Sequence, residues 1–289
     1  MTCAHPVYIK PPGYFQGLFV PCGKCTLCRI ARAREWATRI MQEVCYWDES
    51  LFLTLTYDDD HLPDDGSVSK RKLQLFFKRL RKSLGKRRIK YFAAGEYGEK
   101  YGRPHYHAIV FGLSRDDFIQ DKQDYRLWHI GAWEKGNIYV GSVTYNSARY
   151  VAQYIDKAYS GELTKEVYGD RQVPFRLVSA GIGRRWAEEH ESLLRDKGYM
   201  TVRGVKVGLP RYYRNLLEIE PDIDGAKEHE IDLDAYYRRW LSDPQTLLDL
   251  SRGPYEAEDT VIDAIRKRSL NQAERNAIVR IDMNHRQKM

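Results

Sequence analysis

The chain has 289 residues, 43% of them apolar, and a formal net charge of +7, enough for one large domain or a domain with an appended unit. No run of about 18 apolar residues occurs, which argues against a membrane span, and the start, Met1 to Pro6, lacks the basic-then-apolar pattern of a secretion signal. Five cysteines, an odd number with three close together, fit a reducing compartment better than a disulfide scaffold, so a cytoplasmic location is expected.

The first element in chain order runs from Cys22 to about Trp47, a thiol-rich turn leading into a helix with Ile30, Ala33, Trp36, Ala37, Ile40 and Val44 at helical spacing. Cys22, Cys25 and Cys28, with Cys3 upstream, form a candidate structural zinc site of four thiolates. His5 is an alternative fourth ligand, and a reduced cluster at a helix start is the plainer reading. Cys45 fits a helix interior.

Leu51 to Tyr57 alternates and is rich in strand formers, so a strand is expected there. Ser69 is the expected N-cap of a helix whose Leu73, Phe76, Phe77, Leu80 and Leu84 form one apolar stripe, ended by Gly85. Residues 70–90 carry eleven Lys or Arg and no acidic residue, whereas 218–263 is rich in Asp and Glu. Such a basic block with interleaved aromatics points to phosphate contact. The candidate DNA-binding residues are Lys70, Arg71, Lys78, Arg79, Arg81, Lys82, Lys86, Arg87, Arg88 and Arg103.

Ile89 to Gly95 and His105 to Phe111 read as two further strands, and Asn137 to Val143 as a fourth. In a strand, residues i and i+2 share a face, so His105 and His107 point the same way, about 7 Å apart. Glu96, at the end of the preceding strand, would return beside them in an antiparallel hairpin; Glu99 is the second choice. Two imidazoles and one carboxylate suit a catalytic Mn²⁺ or Mg²⁺ with positions left open for water and substrate.

A helix follows from about Asn146 to Tyr159, in which Tyr150, Tyr154 and Lys157 fall within a narrow wedge. Val151, Ile155 and Ala158 supply a separate stripe for packing. A phenol with a pKa of about 10 is a better leaving group than a sugar hydroxyl, so a phosphotyrosine bond conserves the energy of a broken DNA linkage and is reversible. Lys157 would contact the phosphate or lower the phenol pKa. Beyond residue 160, Arg184 to Lys197 reads as helix, Tyr199 to Val207 as a hairpin around Gly204, and Tyr255 to the end as charged helix.

Leu51 to Tyr57, His105-Tyr106-His107 and Tyr150-x-x-x-Tyr154-x-x-Lys157, in that order, resemble the three motifs of the HUH endonucleases that initiate rolling-circle replication. Pro21 to Arg29 and Gly208 to Tyr213 are similar to the initiators of small single-stranded DNA phages, the gokushovirus-like microviruses. The resemblance spans about residues 3–214. It implies an α+β fold with a mainly antiparallel sheet of about five strands, a ferredoxin-like or RNA-recognition-type core, flanking helices and a helical C-terminal extension.

On this reading residues 1–50 are the cysteine-containing region and helix, 51–165 the endonuclease core, and 166–289 an extension. The resemblance also implies metal binding by His105 and His107, with Glu96 as third ligand, and alternation of Tyr150 and Tyr154 as nucleophiles. The expected partner is origin DNA, single-stranded or hairpin, in a host bacterial cytoplasm. No Gly-x-x-x-x-Gly-Lys-Ser/Thr run occurs, so no nucleotide cofactor is expected and unwinding would fall to a host helicase alongside a host polymerase. A transposase of the same class and a non-catalytic single-strand binder are the rival readings.

Overall fold

A computed structural model of the chain describes residues 3–9, 18–98, 102–154, 162–219, 271 and 273–279. In chain order they form β1 (Val7–Ile9), β2 (Leu18–Val20), α1 (Thr26–Val44), β3 (Ser50–Thr56), α2 (Lys70–Ser83), β4 (Lys90–Tyr97), β5 (Pro104–Phe111) and β6 (Ile119–Gln120). There follow β7 (Leu127–Ile130), β8 (Trp133–Ser142), α3 (Tyr145–Tyr154), α4 (Glu162–Tyr168), β9 (Phe175–Val178), α5 (Arg184–Glu189), α6 (Glu191–Lys197), β10 (Tyr199–Val202), β11 (Val205–Gly208) and α7 (Arg211–Leu216). Two compact units result, one drawn from 1–31 and 218–289, the other from Arg32–Leu217. In the first, β1 and β2 pair antiparallel, Val7 opposite Val20. No helix among the described residues is long and apolar enough to cross a membrane.

The larger unit is α+β, built on a seven-stranded sheet of order β6-β7-β8-β3-β5-β4-β9 in which every neighbouring pair is antiparallel. The four expected strands are its centre. The additional members β6, β7 and β9 are only two to four residues long, too short for alternation to reveal them. Phe175–Val178, within the stretch read as extension, pairs with β4 as an edge strand.

Period-2 alternation sorts the central strands onto two faces. Leu51, Leu53, Leu55, Tyr106, Ala108 and Val110 enter one core together with Leu73, Phe76, Phe77 and Leu80 of α2. Phe92, Ala94, Ile109 and Phe111 enter the other, against Ala33, Ala37 and Ile40 of α1 and Ala148, Val151 and Ala152 of α3. Thus α2 covers one face of the sheet, and α1 with α3 the other.

α2 starts where Ser69 accepts the backbone N–H of Lys72 at 3.3 Å. Its end follows from Leu84 as C-cap and Gly85 at φ +61°, a conformation in which a side chain would be strained. Each of its four buried apolar residues contributes about 1.5–3 kcal/mol of burial. Phe77, stacked on Tyr91 at 3.6 Å between ring centroids, is the residue whose truncation would break the packing, at about 3–5 kcal/mol for Phe77→Ala.

The expected hairpin is present: Arg203 and Gly204 both take positive φ between β10 and β11, as a two-residue turn of this hand requires. The helix expected over 184–197 is instead two short ones, α5 and α6, divided at His190.

Candidate active site

Three adjacent strands bring the site together. Across β4 and β5, Glu96 pairs with His105 and Ala94 with His107; across β3 and β5, Thr54 pairs with His107. By alternation these side chains follow Phe52, Phe92, Ala94 and Ile109 onto the face covered by α1 and α3.

Oε1 of Glu96 lies 2.9 Å from Nε2 of His105 and 2.8 Å from Nε2 of His107. The far side of each ring is also held. Nδ1–H of His105 donates to the Arg103 carbonyl at 3.1 Å, and Nδ1 of His107 meets Thr54 Oγ1 at 2.9 Å. Second partners of this kind fix ring orientation and tautomer, leaving Nε2 to the shared centre. Phe52 stacks on His107 with ring centroids 5.6 Å apart.

Burial opposes charge on both histidines, with different outcomes. It would lower His105, but the hydrogen bond and charge of Glu96 outweigh it and raise the pKa. For His107 burial prevails and the pKa falls. Burial would raise Glu96, yet the hydrogen bonds and charges of the two imidazoles hold it below the usual carboxylate range. Glu96 is 4% and His107 5% exposed, whereas the His105 side chain is 19% exposed. Access to the site is therefore from the His105 end.

The set fits a divalent cation. One ligand atom from each of Glu96, His105 and His107 lies within 4.8 Å of the others. Oε2 of Glu96 is buried and accepts no hydrogen bond among the described residues. Two imidazoles and a carboxylate suit Mn²⁺ or Mg²⁺ bound to a phosphate.

α3 sets Tyr150 against this centre. With Ala148, Val151 and Ala152 buried in the sheet's core, Tyr150 is half-buried at its margin. Its ring meets His107 edge-on, centroids 5.2 Å apart at 77°, and also the edge of Phe52 at 6.4 Å. Tyr154 is the last residue of α3. Its side chain, and Ile155, Lys157, Ala158 and Glu99, lie outside the described residues.

Other expected residues are not brought here. Lys70, Arg71, Lys78, Arg79, Arg81, Lys82, Lys86, Arg87 and Arg88 are exposed, but they belong to α2 and the turn after it, and α2 packs on the opposite face of the sheet. Within that block Arg79 bonds the Ala132 carbonyl at 2.9 Å, Arg81 lies 5.0 Å over the Tyr91 ring and Arg87 pairs with Asp117. Arg103 bonds the Tyr57 carbonyl at 2.9 Å and Asp59 at 2.8 Å, bracing the loop beside His105.

Tyr106, between the histidines, faces the other core. Its hydroxyl is 2.8 Å from the Tyr57 hydroxyl and accepts the Ser69 N–H at 2.9 Å. A groove of about 720 Å³ on the α1 side is lined by Trp36, Arg39, Lys90, Arg184, Arg185 and Tyr212, but none of the site residues reaches it. Lys90, Arg184 and Arg185 pair with Glu43, Glu188 and Glu189, and Arg39 bonds the Ile182 carbonyl between the Trp36 and Tyr212 rings. Those cations serve packing.

Thr54 and Phe52 belong to the site without being singled out by any motif. Pairing the 51–57 and 105–111 strands in antiparallel register would have revealed both, since that register sets Thr54 opposite His107.

The family model for replication-associated proteins of the ORF2 type matches residues 50–159. Replication-associated protein VP4 of Bdellovibrio phage phiMH2K is 37% identical over 216 residues, covering 68% of this chain and 66% of that protein. ORF2 of Spiroplasma virus 4, also a replication-associated protein, is 34% identical over 233 residues, 74% of this chain and 72% of that one. ORF4 of Chlamydia phage 1 is 29% identical over 215 residues, 68% and 53% of the two chains. The chain thus spans just under two thirds of the phiMH2K protein and about half of the Chlamydia phage protein. No solved structure matches.

Proposed function

The chain belongs to the phage replication-associated proteins, and on that premise we propose that it starts and ends rolling-circle replication of a small circular DNA by nicking one strand and later rejoining it. The observation that carries this reading is the Tyr150 ring edge-on to His107, within a centre where both histidines converge on Glu96.

In the proposed reaction the phenol oxygen of Tyr150 or Tyr154 attacks the scissile phosphorus. A new O–P bond forms and the bond to the 3′ oxygen breaks. The phenol proton is lost, and the departing 3′ oxygen is protonated to a hydroxyl that primes synthesis. The strand's 5′ phosphate remains on the tyrosine. After one round the second tyrosine cleaves the regenerated junction, and the freed 3′ hydroxyl attacks the first phosphotyrosine bond to close a circle.

Glu96, His105 and His107 would hold Mn²⁺ or Mg²⁺, which draws charge from the non-bridging phosphate oxygens in the transition state. Arg103 and Thr54 keep the imidazole Nε2 atoms aimed, and Phe52 shields one ring from water. Lys157 is proposed to neutralise charge on the phosphate. The exposed cations of α2 are across the sheet from this centre, so their proposed role is contact with the duplex part of an origin hairpin, not with the reacting strand.

The test uses labelled single-stranded origin DNA with Mn²⁺. The native chain is expected to form a denaturation-resistant protein–DNA adduct, and a Tyr150→Phe, Tyr154→Phe double variant to bind DNA with no adduct. Undiminished adduct in the double variant would overturn the assignment.

A further inference from the structure

The clustered thiols lie apart from the proposed chemistry and carry an inference of their own. Cys3, Cys22, Cys25 and Cys28 each offer Sγ within 4.8 Å of the others, and Cys3, Cys25 and Cys28 are buried. None is in a disulfide. The Cys3 and Cys25 sulfurs are 3.8 Å apart, far beyond a disulfide bond of about 2 Å. A tetrahedron with Zn–S bonds of about 2.3 Å has sulfur–sulfur edges of roughly 3.8 Å.

The backbone around the cluster is arranged for sulfur anions. Cys22 N–H donates to Cys3 Sγ at 3.3 Å, while Lys24 N–H and Cys25 N–H donate to Cys22 Sγ at 3.4 and 3.3 Å. Thiols left as a simple apolar cluster have little use for such donors, because S is a weak acceptor when protonated. His5, the alternative fourth ligand, is turned elsewhere, its Nε2 3.0 Å from Glu274 Oε2. The same carboxylate accepts the Thr26 N–H at 2.7 Å through Oε1. Glu274 thus ties together two positions that flank the thiols, one beside Cys3 and one beside Cys25.

We propose that Cys3, Cys22, Cys25 and Cys28 bind one structural Zn²⁺ as four thiolates. The site is closed, with no position left for water or substrate, so the ion acts by folding: it fixes Cys3 to the 22–28 turn, nineteen residues away in sequence, and so presents His5 and Thr26 together to Glu274. Four thiolates must be deprotonated to bind, so loading releases protons and links the metal to the folding of this unit.

The test is the metal content of the full chain purified under reducing conditions without added metal. One zinc per chain is expected, released stoichiometrically when an organomercurial modifies the thiols, and retained in a His105→Ala, His107→Ala variant and in Cys45→Ser. Reconstitution with Co²⁺ is expected to give the intense near-ultraviolet sulfur-to-cobalt charge-transfer bands. Cys25→Ser is expected to lose most of the zinc. If that variant does not fold, thiol titration of the native chain still decides. Overturning results are a native chain with no zinc and no cobalt–thiolate bands, or zinc that survives complete thiol modification or disappears with the histidines.

Discussion

The ring of Tyr150 meets the imidazole of His107 edge-on, 5.2 Å between centroids, although the two residues lie on different elements, 43 positions apart in sequence. The contact sets a phenol beside the proposed metal centre. Tyr150→Phe keeps the ring and its packing, so its stability is expected to change by less than about 0.5 kcal/mol. Adduct formation by Tyr150 is expected to vanish. Unfolding curves read against adduct yield separate the two effects.

Thr54 is expected to act through His107. Thr54→Val removes the oxygen 2.9 Å from Nδ1 while keeping the β-branched shape, and is expected to weaken Mn²⁺ binding by about 10–100-fold. Thr54→Ser, which restores the hydroxyl, is expected to recover most of the loss. Equal Mn²⁺ affinity in Thr54→Val, measured by calorimetry, would remove Thr54 from the account.

The His105–Glu96 pair sets a pH dependence. Without metal, the raised His105 pKa contributes stability that is full below the unfolded histidine pKa and lost as pH rises through the folded one. The lowered Glu96 pKa contributes stability present above its unfolded pKa and lost as pH falls through the folded one. The pair therefore stabilises the metal-free chain between the depressed Glu96 pKa and the raised His105 pKa. Metal requires Nε2 of His105 deprotonated, so Mn²⁺ affinity is expected to rise with pH across the region where His105 titrates. A pH series of melting temperatures with and without Mn²⁺ checks both signs; pH-independent affinity would contradict the pairing.

The basic face of α2 is expected to govern affinity and not chemistry. Lys78→Glu with Lys82→Glu is expected to weaken origin binding and to flatten its dependence on log salt by up to about 2, near 0.9 for each phosphate no longer neutralised. Cleavage at saturating DNA is expected to stay unchanged. An unaltered salt slope would mean that α2 does not touch DNA.

Tyr106 is expected to be structural. Tyr106→Phe strands the Tyr57 hydroxyl and the Ser69 N–H, both bonded to the Tyr106 hydroxyl, at a cost of about 1–3 kcal/mol for buried groups left unpaired. Urea denaturation measures it. Loss of Mn²⁺ binding without loss of stability would instead tie Tyr106 to the site.

Much of the fold and of the metal centre is legible from spacing alone. His105 and His107 share a face because a strand repeats every two residues, and Glu96 returns to them because a hairpin must; both are local consequences of sequence. The Ser69 cap and the Leu73, Phe76, Phe77, Leu80 stripe are of the same kind. What local pattern does not encode is sidedness. The stripe says that α2 packs on a sheet, not on which face, so its cations read as neighbours of the histidines when the sheet separates them. The edge strands β6, β7 and β9 draw their identity from pairing with longer neighbours. Thr54 needs a register between two strands that are distant in sequence, which composition does not carry.

The most direct measurement is mass spectrometric mapping of the DNA-linked peptide after reaction of the native chain with origin DNA and Mn²⁺. A 5′-phosphate bonded to Tyr150 or Tyr154, and to no other residue, is the expected result. A linkage on any other side chain, or cleavage of the strand with no covalent intermediate under rapid quenching, would contradict the proposed chemistry.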